Sequence, residues 1–353
     1  MPPIKLFIVD DSAVMRQTLI KLVENETDIE VLGVASDPIF AMNKFKLVGY
    51  PDVMILDIEM PRMDGITFLK KIMKEHPIPV IMCSSLVEDG NYKAIEALQA
   101  GAVEIIAKPK LGIKSFLENT KESLISTIIT ASKAKLNRRN STSDNSIIKT
   151  KTSLQKINNI TKSTKDFKSI IAIGSSTGGV QVLEKIVKAL PSKCAPIVIT
   201  QHMPPKFTAS LAKRLNSISN VEVKEAENGE KVEHSHIYIA PGDKHLLIKR
   251  DIKGYLIILK DGPRVCRHRP SVDVMFRSIA NEVGENAIGI ILTGMGDDGA
   301  HGLKEMFDNG AKTYAEDEKS CVVYGMPKEA VKLGGVTKSL DIDAIIEVIK
   351  NAR

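Results

Sequence analysis

Short apolar runs rich in β-branched residues alternate with amphipathic stretches through the first third of the chain. Successive runs begin about 22 to 27 residues apart, which is the rhythm of parallel strands joined by crossover helices. The five runs lie at residues 4–9, 31–34, 53–56, 80–83 and 103–106, and one more amphipathic stretch follows at 113–132. We therefore predict an α/β domain over residues 1–132, built on a doubly wound parallel sheet of five strands.

The same alternation returns at residue 169, after a segment of different composition. Apolar runs lie at residues 170–173, 197–200, 237–240 and 288–292, and a final amphipathic helix is predicted near 343–350. This pattern predicts a second, larger doubly wound α/β domain over residues 169–353. The intervening residues 133–168 are rich in Lys, Ser, Thr and Asn and poor in aromatics, a composition typical of a flexible linker.

The chain carries a formal net charge of +6, so nucleic acid and anionic membranes must be considered as partners. Residues 133–168 alone hold ten Lys or Arg residues against two Asp or Glu residues. A solvated basic linker explains the positive excess, and we favour it over a binding patch. We therefore expect no nucleic-acid partner.

The first apolar run does not read as a targeting segment. It has six residues and is followed by two aspartates, so it is too short for a signal sequence or a membrane span. The cysteines lie far apart and form no CxxC pair, which is typical of buried reduced thiols. They are Cys83, Cys194, Cys266 and Cys321. We expect a cytoplasmic protein that is not inserted in a membrane.

Acidic residues follow two strands of the first predicted sheet. Asp10 and Asp11 come directly after the first strand, and Asp57 follows the third. Neighbouring parallel strands lie under about 5 Å apart, so these carboxylates would repel each other unless a cation neutralised them. Mg²⁺ prefers such oxygen ligands and keeps positions open for phosphate oxygens. Asp57 could then accept a phosphoryl group. Its oxygens would bind Ser84, at the end of the fourth strand, and Lys108, just after the fifth.

A simpler interpretation is that Asp10 and Asp11 only cap the helix that starts near Ser12. For one aspartate taken alone this explanation is preferable. The four chemically matched strand ends together favour the phosphoryl site.

At this point residues 4–125 resemble the receiver domains of two-component systems. The motifs that carry the resemblance are IVDDS at 8–12, LDIEMPRMDG at 56–65, Ser84, and KP at 108–109. The resemblance implies phosphorylation of Asp57 by a histidine kinase. It also implies that Mg²⁺ is held by Asp10, Asp11, Asp57 and the backbone carbonyl of Glu59. One departure is Ile105, which stands where many receivers carry an aromatic switch residue.

A glycine-rich turn follows the first strand of the second domain. Gly174, Ser176 and Gly178 satisfy G-x-S-x-G, a tight strand-to-helix turn that exposes a serine hydroxyl next to a helix N-terminus. A loop of this kind also occurs in dinucleotide-binding sites. That fingerprint requires another glycine where Ser176 stands and an acidic residue after the next strand. The next strand ends in Gln201-His202, so we favour a nucleophilic serine.

Two further strand ends supply the partners that such a serine needs. One strand ends in His202, and the strand at 288–292 is followed by Asp297 and Asp298. A serine, a histidine and an aspartate at one edge of a parallel sheet can form a catalytic triad, and spacing alone does not choose between the two aspartates. The competing histidines are His76, His234, His236, His245, His268 and His301. His268 is the strongest rival, because its basic turn (RHRP at 267–270) could either position an acidic substrate or be a solvated loop.

Residues 169–351 resemble the catalytic domain of CheB-type chemotaxis protein-glutamate methylesterases. The matching segments are AIGSSTGG at 172–179, ITQHMPP at 199–205, YIAPGD at 238–243, RHRPSVD at 267–273, ILTGMGDDG at 291–299 and GMPKEA at 325–330. The resemblance implies a triad of Ser176, His202 and Asp298, with oxyanion donors at the amides of Thr177 and Met295.

The same resemblance implies a function in chemotactic adaptation. The enzyme would hydrolyse γ-glutamyl methyl esters on methyl-accepting chemoreceptors to glutamate and methanol. It would need no cofactor in the catalytic domain and would lie peripherally at receptor clusters, and some relatives also deamidate receptor glutamines. The alternative is a receiver-controlled binding module whose glycine-rich loop holds a nucleotide.

Overall fold

The computed structural model describes residues 2–84, 88–108, 114–136 and 169–352. Most of the predicted linker therefore lies outside the described residues. Within them, no helix has the length and apolar character needed to cross a bilayer.

The first half of the chain forms a parallel sheet of five strands in the order β2-β1-β3-β4-β5. The strands are β1 (Ile4–Val9), β2 (Ile29–Ala35), β3 (Val53–Asp57), β4 (Val80–Ser84) and β5 (Glu104–Ala107). The helices that follow them are α1 (Ala13–Val23), α2 (Pro38–Val48), α3 (Gly65–Glu75), α4 (Glu88–Ala100) and α5 (Lys114–Ser132). The strand order reverses direction beside β1, which opens a crevice at the carboxyl ends of β1 and β3.

The second half forms a parallel sheet of seven strands in the order β14-β13-β12-β6-β7-β9-β8. Its strands are β6 (Ile170–Ser175), β7 (Ile197–Gln201), β8 (Glu222–Glu225), β9 (His236–Ile239), β12 (Ala287–Ile291), β13 (Lys312–Glu316) and β14 (Lys338–Leu340). A separate antiparallel hairpin is formed by β10 (His245–Asp251) and β11 (Gly254–Lys260). The helices are α6 (Gly179–Ala189), α7 (Phe207–Ile218), α8 (Val272–Glu282), α9 (Ala300–Asp308), α10 (Met326–Lys332) and α11 (Ile342–Lys350), with one 3₁₀ turn at Gly284–Asn286.

The central strands are buried along their whole length, which explains why their sequences are continuous apolar runs. The predicted fold class, two doubly wound α/β domains, is confirmed. The apolar runs did not reveal β8, β13, β14 or the β10–β11 hairpin. β8, β13 and β14 alternate polar and apolar residues or lie towards the edges of the sheet, as KTYAE of β13 shows, whereas the hairpin strand β11 contains an apolar run that was not assigned.

The four cysteines are free thiols. Three are buried as expected, whereas Cys266 is only half-buried.

Candidate active site and phosphoacceptor site

The glycine-rich turn places Ser176 between the end of β6 and the start of α6. Its amide donates to the Thr293 carbonyl (3.1 Å), and its own carbonyl accepts from the Gly179 amide (2.8 Å). Gly178 has a φ of 81°, and a Cβ there would lie 2.6 Å from the Cβ of Val322. The turn therefore requires glycine at this position. It holds the serine at a helix N-terminus, where developing negative charge is stabilised.

His202 lies beside the serine on the neighbouring strand. The register pairs Ser175 with Gln201, so Ser176 and His202 form the next pair past the ends of β6 and β7. The amide of His202 also donates to the Ser175 carbonyl (3.0 Å). Gln201 is buried and holds the serine turn by donating from Nε2 to the Ser176 carbonyl (2.9 Å). These hydrogen bonds fix the end of β6 against the end of β7.

Asp298 is the carboxylate that reaches the histidine. His202 Nε2 lies 2.7 Å from Asp298 Oδ2, and both side chains are buried. Asp298 also accepts hydrogen bonds from the Ser271 hydroxyl (2.7 Å) and the Val272 amide (2.7 Å) at the start of α8. Burial opposes ionisation of this carboxyl, but the hydrogen bond and the charge of His202, together with these donors, hold the pKa of Asp298 below its ordinary value. Asp297, its neighbour, is exposed, and the carboxylate paired with the ring is that of Asp298.

Because Nε2 of His202 pairs with Asp298, only the other ring nitrogen, Nδ1, can interact with the serine. Nδ1 is buried and has no hydrogen-bond partner among the described residues, so the Ser176 hydroxyl does not bond to it in this conformation. A buried nitrogen without a partner is unfavourable, and Ser176 is its neighbour in the strand register. Nδ1 is therefore the atom available to remove a proton from the serine.

Two backbone amides lie next to the nucleophile. Thr177 directly follows it, and the loop at Gly294-Met295 packs so closely that a Cβ on Gly294 would lie 2.8 Å from the Ser176 Cβ. In the described part of the chain, the amides of Thr177 and Met295 donate no hydrogen bond. Two free donors beside a nucleophile suit the stabilisation of an oxyanion.

The acidic cluster of the first sheet lies where the strand ends predict it. Carboxylate oxygens of Asp10, Asp11 and Asp57 come within 4.8 Å of one another. Lys108 Nζ lies 2.7 Å from Asp57 Oδ2 and 3.2 Å from Asp10 Oδ2. The carboxylates are not helix caps, because the hydroxyl of Ser12 caps α1.

Burial raises the pKa of Asp57 to about 6, helped by the charge of Asp10 and opposed by Lys108. Such crowding of acids is what a divalent cation would relieve, so these residues fit Mg²⁺. Ser84 is buried at the end of β4, and its carbonyl accepts from the Lys108 amide (2.8 Å). The Glu59 side chain pairs instead with Lys93 (2.8 Å), which leaves only its backbone for a metal.

Comparison with known proteins identifies both domains. The sequence matches the CheB methylesterase family over residues 171–349, and the response regulator receiver domain over residues 6–115. The chain belongs to the CheB methylesterase family. It is 53% identical over 352 residues to protein-glutamate methylesterase/protein-glutamine glutaminase 3 of Shewanella oneidensis, with 98% of each chain covered.

A second relative, protein-glutamate methylesterase/protein-glutamine glutaminase 2 of Chromobacterium violaceum, is 51% identical over 353 residues, which cover 98% of this chain and 99% of the relative. The crystal structure of the Thermotoga maritima CheB methylesterase catalytic domain is similar with a TM-score of 0.50 and 43% identity. It covers 51% of this chain and 96% of that chain. The family resemblance predicted from the motifs is therefore confirmed.

Two contacts of this CheB-family active site were not predicted as such. The ring of His268 stacks on His202, with centroids 3.7 Å apart and planes 3° from parallel. Burial, together with the neighbouring charge of His202, lowers the pKa of His268 to about 3. His268 is thus a neutral ring packed against the catalytic candidate and not a residue of a solvated loop. The second contact is the hydrogen bond from Ser271 to Asp298. Ser271 could have been predicted as a helix N-cap, because it is a serine directly in front of an apolar stretch.

The receiver domain packs directly against the methylesterase site. Glu104, at the start of β5, accepts a hydrogen bond from the Thr177 hydroxyl (2.6 Å). Burial raises the pKa of Glu104 above its ordinary value. On α5, the hydroxyls of Ser126 and Thr130 contact the Met295 sulfur. The receiver therefore covers both residues whose amides flank Ser176.

Proposed function

We propose that the protein hydrolyses γ-methyl esters of glutamate on methyl-accepting chemoreceptors, releasing glutamate and methanol, and that phosphorylation of its receiver activates it. The observation that carries this proposal is the buried His202–Asp298 pair beside Ser176 at adjoining strand ends. The same site would deamidate receptor glutamines, since both reactions transfer an acyl group to water. The names of the two relatives include both activities.

In the proposed mechanism, His202 Nδ1 removes the proton of Ser176 as its oxygen attacks the ester carbonyl. The amides of Thr177 and Met295 donate hydrogen bonds to the oxyanion, and Asp298 holds the ring and stabilises the imidazolium. Collapse of the intermediate breaks the ester bond, and the proton on His202 passes to the departing methoxide to give methanol. Water, deprotonated by His202, then cleaves the acyl-serine and regenerates Ser176.

In the receiver, the Asp57 carboxylate would accept a phosphoryl group from a chemotaxis histidine kinase. Mg²⁺, held by Asp10, Asp11, Asp57 and the Glu59 carbonyl, would supply positive charge to the acidic cluster and the phosphate oxygens. Lys108 and Ser84 would bind those oxygens.

We assign residues 1–132 to the receiver, 133–168 to the linker and 169–353 to the catalytic domain. We further propose a cytoplasmic protein that lies peripherally at receptor clusters and binds no nucleic acid. The Glu104–Thr177 contact supports a resting state in which the receiver restricts access to Ser176.

Methanol release from methylated receptor membranes tests the proposal. Ser176→Ala and His202→Ala should each lower turnover by about 10³-fold or more, because each removes the activated nucleophile. Ser217→Ala, at an exposed serine of α7, is a matched control, since its hydroxyl donates only to the Arg214 carbonyl on the same helix (2.7 Å). Normal turnover in a folded Ser176→Ala protein would end the hydrolase proposal.

A further inference from the structure

The turn that carries His268 has an unusual backbone. Cys266 and Arg267 both have positive φ angles, of 47° and 68°, and glycine or asparagine normally occupies such positions. Reciprocal backbone hydrogen bonds between Val265 and His268 (3.0 and 2.8 Å) close the turn. The Cys266 thiol also donates to Asp273 on α8 (3.7 Å). Strained residues held by their surroundings cluster at functional sites, so the choice of arginine over glycine here calls for a role.

Three arginines lie in or beside this turn, and only one of them forms an ion pair with a carboxylate of the described residues. Arg269 donates to Asp243 (2.7 Å) and to the Gly262 carbonyl. Arg264 and Arg267 are exposed, and neither forms an ion pair with a described residue. Arg264 donates only a long hydrogen bond (3.4 Å) to the carbonyl of Arg267.

These two positive charges lie at the edge of the candidate active site. Arg267 directly precedes His268 in the chain, and the ring of His268 stacks on that of His202. Burial and the charge of His202 lower the pKa of His268 most, and the charges of Arg267 and Arg264 add to this effect, which places both arginines close to that ring. Both side chains are exposed, and no hydrogen bond or ion pair joins them to a described residue of the receiver.

The reaction itself produces the anion that such charges would attract. Each hydrolysis turns a neutral ester into a carboxylate, so a substrate with several modified glutamates carries free carboxylates near its remaining esters. On a helix, side chains three, four and seven positions apart share one face. A guanidinium binds a carboxylate through two parallel hydrogen bonds.

We propose that Arg264 and Arg267 form a subsite for free carboxylates that flank the scissile ester on the substrate chain. This inference rests on the proposed function and names its substrate more closely as an acidic helical segment. One consequence is that an ester next to an already hydrolysed glutamate is a better substrate than the same ester next to a neutral residue.

The test uses the full-length protein, treated with a small phosphodonor, and two helical peptides that each carry one glutamate methyl ester. One peptide has glutamate four and seven positions away, and the other has glutamine there. For the wild type, kcat/KM should be about three- to tenfold higher for the acidic peptide, and the difference should shrink as salt is added. In an Arg264→Gln, Arg267→Gln double variant the two peptides should be hydrolysed equally.

A small neutral ester and a matched variant separate the possible outcomes. Lys253→Gln removes an exposed charge from the distant β10–β11 turn and should keep the preference. Equal loss on both peptides and on the neutral ester in the double variant would mean that the arginines act through His268, which overturns the subsite. A wild type without preference, or a double variant that keeps it, also overturns it. If the wild type cleaves the neutral ester but neither peptide, the proposed function itself fails.

Discussion

Removing the Glu104 carboxylate should raise the resting activity of the enzyme. The Thr177 hydroxyl donates to this carboxylate over 2.6 Å, which ties the receiver to the residue after the nucleophile. A hydrogen bond contributes about 0.5–1.5 kcal/mol net, and we take this range because burial disfavours the charged form of Glu104. If the covered state dominates, Glu104→Ala should increase methanol release by the unphosphorylated protein about 2- to 13-fold.

Glu104→Gln keeps the shape of the side chain and a neutral acceptor, so its effect should be smaller. Glu96→Ala is the matched control, because Glu96 pairs with Lys70 on the receiver surface (2.8 Å). The isolated 165–353 fragment sets the upper limit of turnover. If Glu104→Ala stays at the wild-type level while this fragment is much faster, the hydrogen bond does not hold the receiver in place. A fragment no faster than the full-length protein would refute occlusion altogether.

The pH dependence of the same variant gives an independent check. Burial in the covered state raises the pKa of Glu104, so that state binds a proton more readily than the open state does. Covering is therefore favoured at low pH and is weakened as the pH rises through the raised pKa. The ratio of Glu104→Gln activity to wild-type activity should fall as the pH increases, and taking the ratio cancels any pH dependence of the chemical step that both proteins share.

Three further predictions concern the triad, the phosphoacceptor and the linker. Asp298→Asn should lower turnover by about 10²- to 10⁴-fold by misorienting His202, whereas Asp297→Asn should cost about tenfold at most, and a reversed order at equal stability would contradict the assignment. Asp57→Asn should leave methanol release low when phosphodonor is added; activation would exclude Asp57 as the acceptor. Trypsin should cut first within residues 133–168, as gel analysis of the fragments would show, and unfolding of both fragments would contradict the domain boundaries.

The sequence predicted the parts of the fold that depend on local pattern. Central strands such as β6 and β12 are buried on both faces and therefore appear as apolar runs. β13 was missed, since its alternating sequence KTYAE is typical of a half-exposed segment. Its last residue, Glu316, is nevertheless fully buried and accepts from the Thr293 amide (2.8 Å).

The residues of the candidate site also fall into those that the sequence predicts and those that only the structure reveals. Its residues follow strand ends, so Ser176 and His202 could be predicted from the carboxyl edge of a parallel sheet. The choice between Asp297 and Asp298 depends on which way each side chain of a turn points, which apolar pattern does not encode. The stacking of His268 depends on packing between segments 66 residues apart in the sequence, and only the structure reveals it.

The strand β5 has a mechanical consequence. Lys108, directly after this strand, pairs with the candidate phosphoacceptor Asp57, and Glu104, its first residue, accepts a hydrogen bond from Thr177. Four residues of extended chain span about 13 Å. The side chain beside the candidate phosphoacceptor and the side chain that contacts the candidate active site thus lie at opposite ends of one short strand. We therefore expect a displacement of Lys108 to reach Glu104 through the backbone of this strand, with the buried Ile105 between them and no aromatic switch residue needed.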